Sequence, residues 1–598
     1  MKDSERQRAL LGDEALALGA IHGGLSAAYG YPGTPSTEIM EYLQGEAAKR
    51  AGPRGGALED PAGSTTPDSG GFRAVWCANE KTALEAALGV SFAGRRALVT
   101  MKHVGLNVAA DPFLNGALLD IQGGLVIAVA DDPGMHSSQG EQDSRFYASF
   151  AMVPCLEPRS QQEAYDMARE AFDISENFHV PVLIRLATRL SHARGGILTA
   201  PARDQNPCKK TGEKTKWMLL PVHARKNYAA LIEKQRGLEA WSEKHAEKNL
   251  EFSGGPLAVI TSGLGGNYYE ENLPDLKARY GCAPSRLHVE AYPLPAASIR
   301  RLCQSVLHGR AGAEKTLDEK EPPGKVLVIE EGQPFIEEKL RGILPPRIEI
   351  RGRLDGTVPR TGELDPDNVR AALELSPRPG ILDGQALRSP ENPGALDLSR
   401  LPGRPPQLCT GCPHADSYEA INRAAAELDP APGHPKVAVN SDIGCYSLGA
   451  APPYSAVESI VCMGASIGMA RGAADAGIPY AFAVIGDSTF VHSGIAALID
   501  AVRTNAPVTI IILDNSTVAM TGCQSTAVPS DKLGALILGT GLDPAHFWEL
   551  EARRQNIEEN ASRLKQEASY RGPSVAVFRR ECLEAARKRL KGSAGNSG

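Results

Sequence analysis

Asp487 and Asn515 each close an apolar run, AFAVIG and VTIIILD, and each is of a type that ligates a hard divalent cation. If both runs are parallel strands, the two side chains stand at carboxyl ends, where α/β sheets gather their ligands. Magnesium takes oxygen ligands in near-octahedral geometry and keeps phosphate oxygens and water among them. The Asp487 carboxylate, the Asn515 amide oxygen and the Thr517 backbone carbonyl would supply the protein's share of that shell. After Gly486, Ser488 and Thr489 open the next helix, whose free N–H groups suit a diphosphate. For a single Gly-Asp-Ser, a capped strand-to-helix turn is the commoner reading. The pair at this spacing, both after apolar strands, favours the metal site.

A second constellation is made of sulfur. Cys409 and Cys412 form a C-x-x-C pair in LCTGCPH, Cys445 lies in SDIGCYS, and Cys582 lies in FRRECLE. Four thiolates of this kind can bind a 4Fe–4S cluster or a structural zinc. Cys523 and Cys462 are spare candidates for the fourth position. Cys77, Cys155, Cys208, Cys282 and Cys303 read as buried or incidental thiols.

Positioning these groups takes α/β architecture. From Gly12 to about Ala200, the strands ALVTM, LVIAVA and VPVLIRL alternate with Ala-rich helical stretches, which implies mostly parallel sheets with helices on both faces. The chain is 598 residues long, too long for one core. Composition shifts divide it at 1–203, a charged helical linker at 204–250, a smaller unit at 251–380, a Pro- and Gly-rich linker at 381–407, a last unit at 408–591 and a tail at 592–598. Residues 45–70 read as an exposed insertion. With 64 basic and 71 acidic side chains the net charge is −7, and no basic stripe carries interleaved aromatics, which argues against nucleic acid as a partner. The start lacks the apolar core of a signal peptide, and no apolar run approaches the roughly 20 residues that span a bilayer. A cytoplasmic protein is expected, and there the cysteines are better metal ligands than disulfides.

The Gly-Asp…Asp-Asn motif resembles that of thiamine diphosphate enzymes, with Ser488 in place of the motif's last glycine. DNSTVAMTGCQ (514–524), GYPGTPSTEI (30–39), the stretch from Asn79 to Asn107 and LCTGCPH (408–414) are more specific. They resemble the 2-oxoacid:ferredoxin oxidoreductases over nearly the whole chain, and among these the large (alpha) subunits of the indolepyruvate-acting branch. The resemblance implies two thiamine-diphosphate-binding domains, 1–203 for the pyrimidine and 408–591 for the diphosphate, around a transketolase C-terminal-like domain at 251–380. It implies Glu80 against the cofactor's aminopyrimidine, with Glu85 a poorer candidate, and Gly444 and Thr521 among the cofactor contacts. Thr34, beside Pro35, would reach the 2-oxoacid, and Lys102, His103 and Asn107 could provide for its carboxylate. A turn or capping role competes for each of these four, and His492 reads as structural. The four cysteines would hold a proximal 4Fe–4S cluster, with Thr410 where the family usually has proline.

The implied reaction is oxidative decarboxylation of an aryl 2-oxoacid to its acyl-CoA, with electrons leaving through the cluster to ferredoxin. A beta subunit, coenzyme A and a dimer of heterodimers come with the same resemblance. Such subunits usually continue into a two-cluster ferredoxin domain, and this chain carries no such cysteine run after Cys582. The electrons are therefore expected to pass to another subunit or a soluble acceptor. Two rivals stand beside this reading: a non-redox thiamine decarboxylase or ligase whose cysteines are structural, and a non-catalytic assembly subunit.

Overall fold

A computed structural model of the chain describes residues 7–51, 71–209, 213–253, 257–308, 324–378 and 407–595. The expected insertion from residue 52 onward, the Pro-rich linker up to residue 406 and the last three residues of the tail lie outside the described residues. The chain divides into two units, Met1–Arg400 and Leu401–Gly598.

The first unit holds two main sheets. In the larger, the order is Ala291–Tyr292, Cys155–Leu156, Val182–Ala187, Leu125–Asp131, Ala97–Lys102, Ala27–Gly30, Arg73–Trp76, and only the Ala291–Tyr292 edge pairs antiparallel. Every residue of Leu125–Asp131 is buried, as a strand covered on both faces requires. The helix Gln161–Phe178 shows how sequence sets such a cover. Ser160 caps its start by accepting the Glu163 N–H, Ala164, Met167, Ala168, Ala171 and Phe172 form its buried stripe, and His179 ends it in the left-handed region at φ 53°. In the second sheet Ile348–Arg351, Gly324–Ile329, Leu257–Ser262 and Ser285–Val289 run parallel, and Leu250–Glu251 adds an antiparallel edge. The Lys-rich stretch before it carries a helix at Pro221–Lys248. Gln7–Leu11 and Arg194–Leu198 pair separately.

The second unit is one six-stranded parallel sheet. Its order is Ser459–Ile460, Val437–Ser441, Tyr480–Gly486, Val508–Asp514, Ser574–Arg579, Phe547–Glu551. The short edge strands Ser459–Ile460 and Phe547–Glu551 were not among the strands expected from the sequence; neither has a wholly buried pattern. The fold class read from the sequence, several mostly parallel α/β sheets, is the one observed. Among the described residues, no helix is long and apolar enough to cross a membrane.

Candidate functional site

Four neighbouring strands of the second unit deliver chemistry at the same end of the sheet. Val437–Ser441 leads to Asp442, Gly444 and Cys445; Tyr480–Gly486 to Asp487; Val508–Asp514 to Asn515; and Ser574–Arg579 to Cys582. Parallel register aligns Gly486 with Leu513, so Asp487 falls beside Asp514. Asp487 is 7% exposed. Its carboxylate accepts the Ser488 N–H at 2.8 Å and, across the strands, the Ser516 N–H at 2.9 Å. Burial and the neighbouring Asp514 carboxylate raise its pKa well above the ordinary value. Asp514 itself is tied to Arg579 at 3.0 Å and to the Ser530 hydroxyl at 2.6 Å. A buried carboxylate whose side-chain partner is another carboxylate is a place where a divalent cation lowers the energy.

The loop after Asp514 is held in a fixed turn by its own hydrogen bonds. Ser516 adopts φ 64°, the Asn515 Oδ1 accepts the Thr517 N–H at 3.2 Å, and the Thr517 hydroxyl donates to the Gln524 carbonyl at 3.0 Å. Thr521 caps this turn by donating to the Gln524 side chain at 2.6 Å. The helical stretch from Asp487 to Arg503 includes a widened turn at Phe490–Gly494, a distortion frequent at functional sites. Ser488 and Thr489 are buried at its start, and Thr489 donates to the Ile443 carbonyl at 3.2 Å. Buried His492 lies within the widened turn, its Nδ1 2.6 Å from the Ser493 hydroxyl.

Cys409, Cys412, Cys445 and Cys582 line one cavity of about 110 Å³, together with Pro413, His414, Leu448 and Asn515. That volume suits a small inorganic group, far below the roughly 300 Å³ at which organic-ligand pockets begin. The Cys409–Cys412 turn closes through the Cys412 N–H to the Cys409 carbonyl at 3.0 Å, with Gly411 at φ 78°. Arg580 ties that turn to the Cys582 segment, donating to Asp416 at 2.7 Å and to the Gly411 carbonyl at 3.3 Å. Burial, then the nearby Cys412, Cys582 and Cys409, push the Cys445 thiol up to about 12. A bound cation is what makes thiolates tenable in such a place.

Among the described residues, the one set of three or more His, Cys, Asp or Glu ligand atoms within 4.8 Å of one another is Glu163, His288 and Glu290, in the first unit. The four cysteines are more widely spread than that. A single zinc with sulfur at about 2.3 Å needs its sulfurs closer than about 4 Å, so the spacing suits a polynuclear cluster better. Cys523 lies near Cys582 and Cys445 without lining the cavity, and Cys462 is exposed. The Glu163 and Glu290 carboxylates already have cationic partners, Arg159 at 3.2 Å and His245 at 3.3 Å.

Three buried residues here were not singled out from the sequence. Asp442, raised to about 7 by burial, accepts the Tyr446 hydroxyl and, at 2.8 Å, the Ser466 hydroxyl. The Tyr446 ring covers Gly444 and Gly486 so closely that a Cβ would come within 2.2 Å and 2.5 Å of it, which is why both positions are glycine. His414 meets the Asn515 amide nitrogen at 3.2 Å. Their signal was adjacency: His414 follows Cys412-Pro413, and Asp442 and Tyr446 flank Gly444-Cys445.

In the first unit, Glu80 opens the helix Glu80–Phe92 behind the capping Asn79, and is 5% exposed. Gly105 lies against its carboxylate, where a Cβ would sit 2.5 Å from Oε1. Lys102, at the end of Ala97–Lys102, packs along Gly33 and donates to the Ser137 carbonyl at 3.1 Å. Burial lowers its pKa, against the pull of Asp132 and Glu80. The Ser137 hydroxyl reaches the Thr34 carbonyl at 3.3 Å, at the Thr34–Pro35 cis bond. Glu80, Lys102 and Thr34 are thus brought together at the carboxyl ends of Arg73–Trp76, Ala97–Lys102 and Ala27–Gly30. His103 is buried with Nε2 2.9 Å from the Gly140 carbonyl, while the Asn107 amide oxygen is occupied by the Tyr147 hydroxyl at 2.6 Å. Glu85 pairs with Lys81 on the exposed side of its helix.

The family described as pyruvate flavodoxin/ferredoxin oxidoreductase, thiamine diphosphate-binding, matches residues 18–249, and the thiamine pyrophosphate enzyme C-terminal binding domain matches residues 442–552. The chain is 34% identical over 600 aligned residues to the indolepyruvate oxidoreductase subunit IorA of Archaeoglobus fulgidus, covering 97% of this chain and 88% of that one. It is 36% identical to the IorA subunit of Thermococcus kodakarensis, covering 86% and 75%. A solved 2-oxoglutarate:ferredoxin oxidoreductase from Magnetococcus marinus is similar over 58% of this chain and 62% of that one, at 17% identity and a TM-score of 0.44. The chain therefore belongs to the IorA family of thiamine-diphosphate-dependent 2-oxoacid:ferredoxin oxidoreductase subunits.

Proposed function

We propose that this subunit oxidatively decarboxylates an aryl 2-oxoacid, of the indolepyruvate kind, to its acyl-CoA, and passes the electrons through a 4Fe–4S cluster to ferredoxin or another acceptor. The observation that carries the redox part is the single small cavity lined by Cys409, Cys412, Cys445 and Cys582 with Asn515, which brings four sulfurs to the edge of the diphosphate motif. Thiamine diphosphate, when bound, supplies the electron sink for decarboxylation, and a cluster supplies the one-electron acceptor. Asp487, Asn515 and the Thr517 carbonyl would hold magnesium, and the amides following Gly486, with Ser488 and Thr489, would hold the diphosphate. The Asp487–Asp514 pair fits that role, since it is short of one cation.

In the first unit, the Glu80 carboxylate would hydrogen-bond N1′ of the aminopyrimidine and hold the proton shared there. Gly105 keeps the space above Glu80 free of side chain. The Lys102 ammonium would neutralise the substrate carboxylate, and Thr34 would hydrogen-bond its oxygens. Both relatives are named as one subunit of their enzymes, which supports a partner subunit here, in an assembly that repeats as a dimer of heterodimers in the cytoplasm.

Anaerobic co-purification with the adjacent-gene subunit tests the reading. About four iron and four sulfide per chain are expected, together with 2-oxoacid-dependent reduction of viologen that requires coenzyme A. Cys582→Ser should lose the cluster signal, and Cys462→Ser should keep it. Colourless, iron-free protein that still decarboxylates would overturn the redox reading.

A further inference from the structure

We propose that His414 is a positioning residue that fixes which end of the Asn515 amide faces the cation, joining the cysteine cavity to the diphosphate end of the site. The inference rests on the reading that Asn515 ligates magnesium.

A carboxamide can take two orientations of similar shape, and its neighbours decide between them. The Thr517 N–H points at one end of the Asn515 amide at 3.2 Å. A donor cannot face the NH2 group, so that end is Oδ1. The NH2 end then faces His414 Nε2 at 3.2 Å, which must be the unprotonated nitrogen of a neutral ring carrying its proton on Nδ1. His414 is 3% exposed, so the choice is not diluted by solvent. The ring is itself held. It stands in the first turn of the helix Pro413–Leu428 and meets Tyr446 edge to face, 6.1 Å between centroids. The Tyr446 hydroxyl is anchored on Asp442.

The backbone of Asn515 is tied to the same cavity from the other side. Its carbonyl accepts the Cys582 N–H at 3.1 Å. Side chain and main chain of this one residue are thus pinned by the two segments that carry Cys412 and Cys582. With the NH2 group committed to His414 and one lone pair of Oδ1 to Thr517, the second lone pair of Oδ1 is left for the cation. An apolar residue at 414 would leave a buried NH2 group without a partner and the amide free to turn.

Titration of Mg²⁺ at fixed thiamine diphosphate, by calorimetry on the anaerobically purified complex, tests this. His414→Leu should weaken Mg²⁺ binding by about 10- to 100-fold, the range for partners that orient metal ligands. His414→Gln, whose side chain reaches the place of Nε2 and offers an acceptor, should restore wild-type affinity. His414→Asn, which reaches only as far as Nδ1, should not. The electron paramagnetic resonance signal per iron should be the same in all of them, which separates positioning from collapse of the site. Equal affinities for the glutamine and asparagine variants would overturn the proposal, and that pair decides the matter even if the leucine variant loses iron. Asn515→Ala separates the two readings. If it binds Mg²⁺ normally, the ligand assignment fails; if it binds weakly while His414→Leu binds normally, only the role of His414 fails.

Discussion

Two regions of this protein bury charge at the carboxyl ends of parallel strands, and they settle it in opposite ways. In the first unit, Arg145 and Arg185 are fully buried among Asp131, Asp143, Glu157 and Glu330. Arg145 meets Asp143 at 2.5 Å and Glu330 at 2.9 Å, and Arg185 meets Asp131 at 2.6 Å and also Glu157. Glu157 further accepts the Tyr292 hydroxyl at 2.7 Å. The network joins the strand ends of both sheets of that unit: Asp131 and Arg185 come from the larger sheet, Glu330 from the smaller. In the second unit, Asp487 is also buried, and its contacts are two backbone amides and the Asp514 carboxylate, whose own guanidinium partner is Arg579. Each carboxylate of the first arrangement has a guanidinium of the chain within 3 Å, whereas Asp487 has none of its own among the described residues. Buried charge that the chain neutralises itself holds a fold together; buried charge left over marks where something else binds.

The largest test of this contrast is to open the closed network. Arg145→Met keeps the bulk and removes the charge, leaving Glu330 buried without its guanidinium and Asp143 with only Arg185, 3.5 Å away. Removing one partner of a buried ion pair costs about 3–5 kcal/mol. Denaturant unfolding of the metal-free chain should register that loss in the first unit, or the variant should fail to accumulate. A change below about 1 kcal/mol would mean that the network is not what joins the two sheets.

A smaller effect comes from the edge of the same network. Burial raises Glu331 to about 7, although its carboxylate accepts the Leu364 N–H at 2.7 Å and lies near Arg353. A folded pKa above the unfolded one means that the native state holds a proton the unfolded chain has released. The contribution is therefore fully present below about pH 4.5 and is lost as pH rises through about 7. Glu331→Gln should flatten stability between those limits by about 3 kcal/mol, at 1.36 kcal/mol per pKa unit. An unchanged slope would place the titration elsewhere, with Glu330, also raised to about 7 by burial, the next to substitute.

The two regions were also unequally legible in the sequence. Asp487, Asn515, Cys445 and Cys582 could be placed because each follows a short apolar run whose alternation with helices announces a parallel strand, and strand ends are where such sheets expose side chains. Sequence spacing also fixed the Cys409–Cys412 turn, which closes on itself. What could not be read was partnership. His414 and Asn515 are 101 positions apart, and Arg145 meets the Glu331 carbonyl from 186 positions away. Of Asp131, Asp143, Glu157 and Glu330, Asp131 and Glu330 also close apolar strands, but none of the four could be told from an unpaired acid, because residue type does not say whether a guanidinium waits across a sheet. The edge strand Phe547–Glu551 was missed for a related reason: its polar residues pair along a single buried neighbour and show no apolar run.

The smallest expected change in stability carries the most information about the open site. With its pKa raised well above the ordinary carboxylate value by burial and by Asp514, the Asp487 carboxyl keeps its proton in the metal-free protein into a range where the unfolded chain has lost it. Metal-free stability from this group is thus present at low pH and lost as pH rises through the raised value. Asp487→Asn removes the charge, but its NH2 group must face one of the two backbone N–H groups that the carboxylate accepts, Ser488 or Ser516, a cost that is the same at every pH. Relative to the wild type, the variant should therefore gain metal-free stability as pH rises, because it has no like-charge pair to form. Mg²⁺ with thiamine diphosphate should favour the wild type, which gains stability in proportion to its binding, whereas the variant, lacking the charge that holds the cation, gains little. Thermal unfolding at two pH values, with and without Mg²⁺ and thiamine diphosphate, reads all four corners of that comparison. If the metal-free difference between Asp487→Asn and the wild type were the same at both pH values, and the two responded equally to metal, the Asp487–Asp514 pair would be closed from within, as the arginine network of the first unit is, and the cation would have to bind elsewhere.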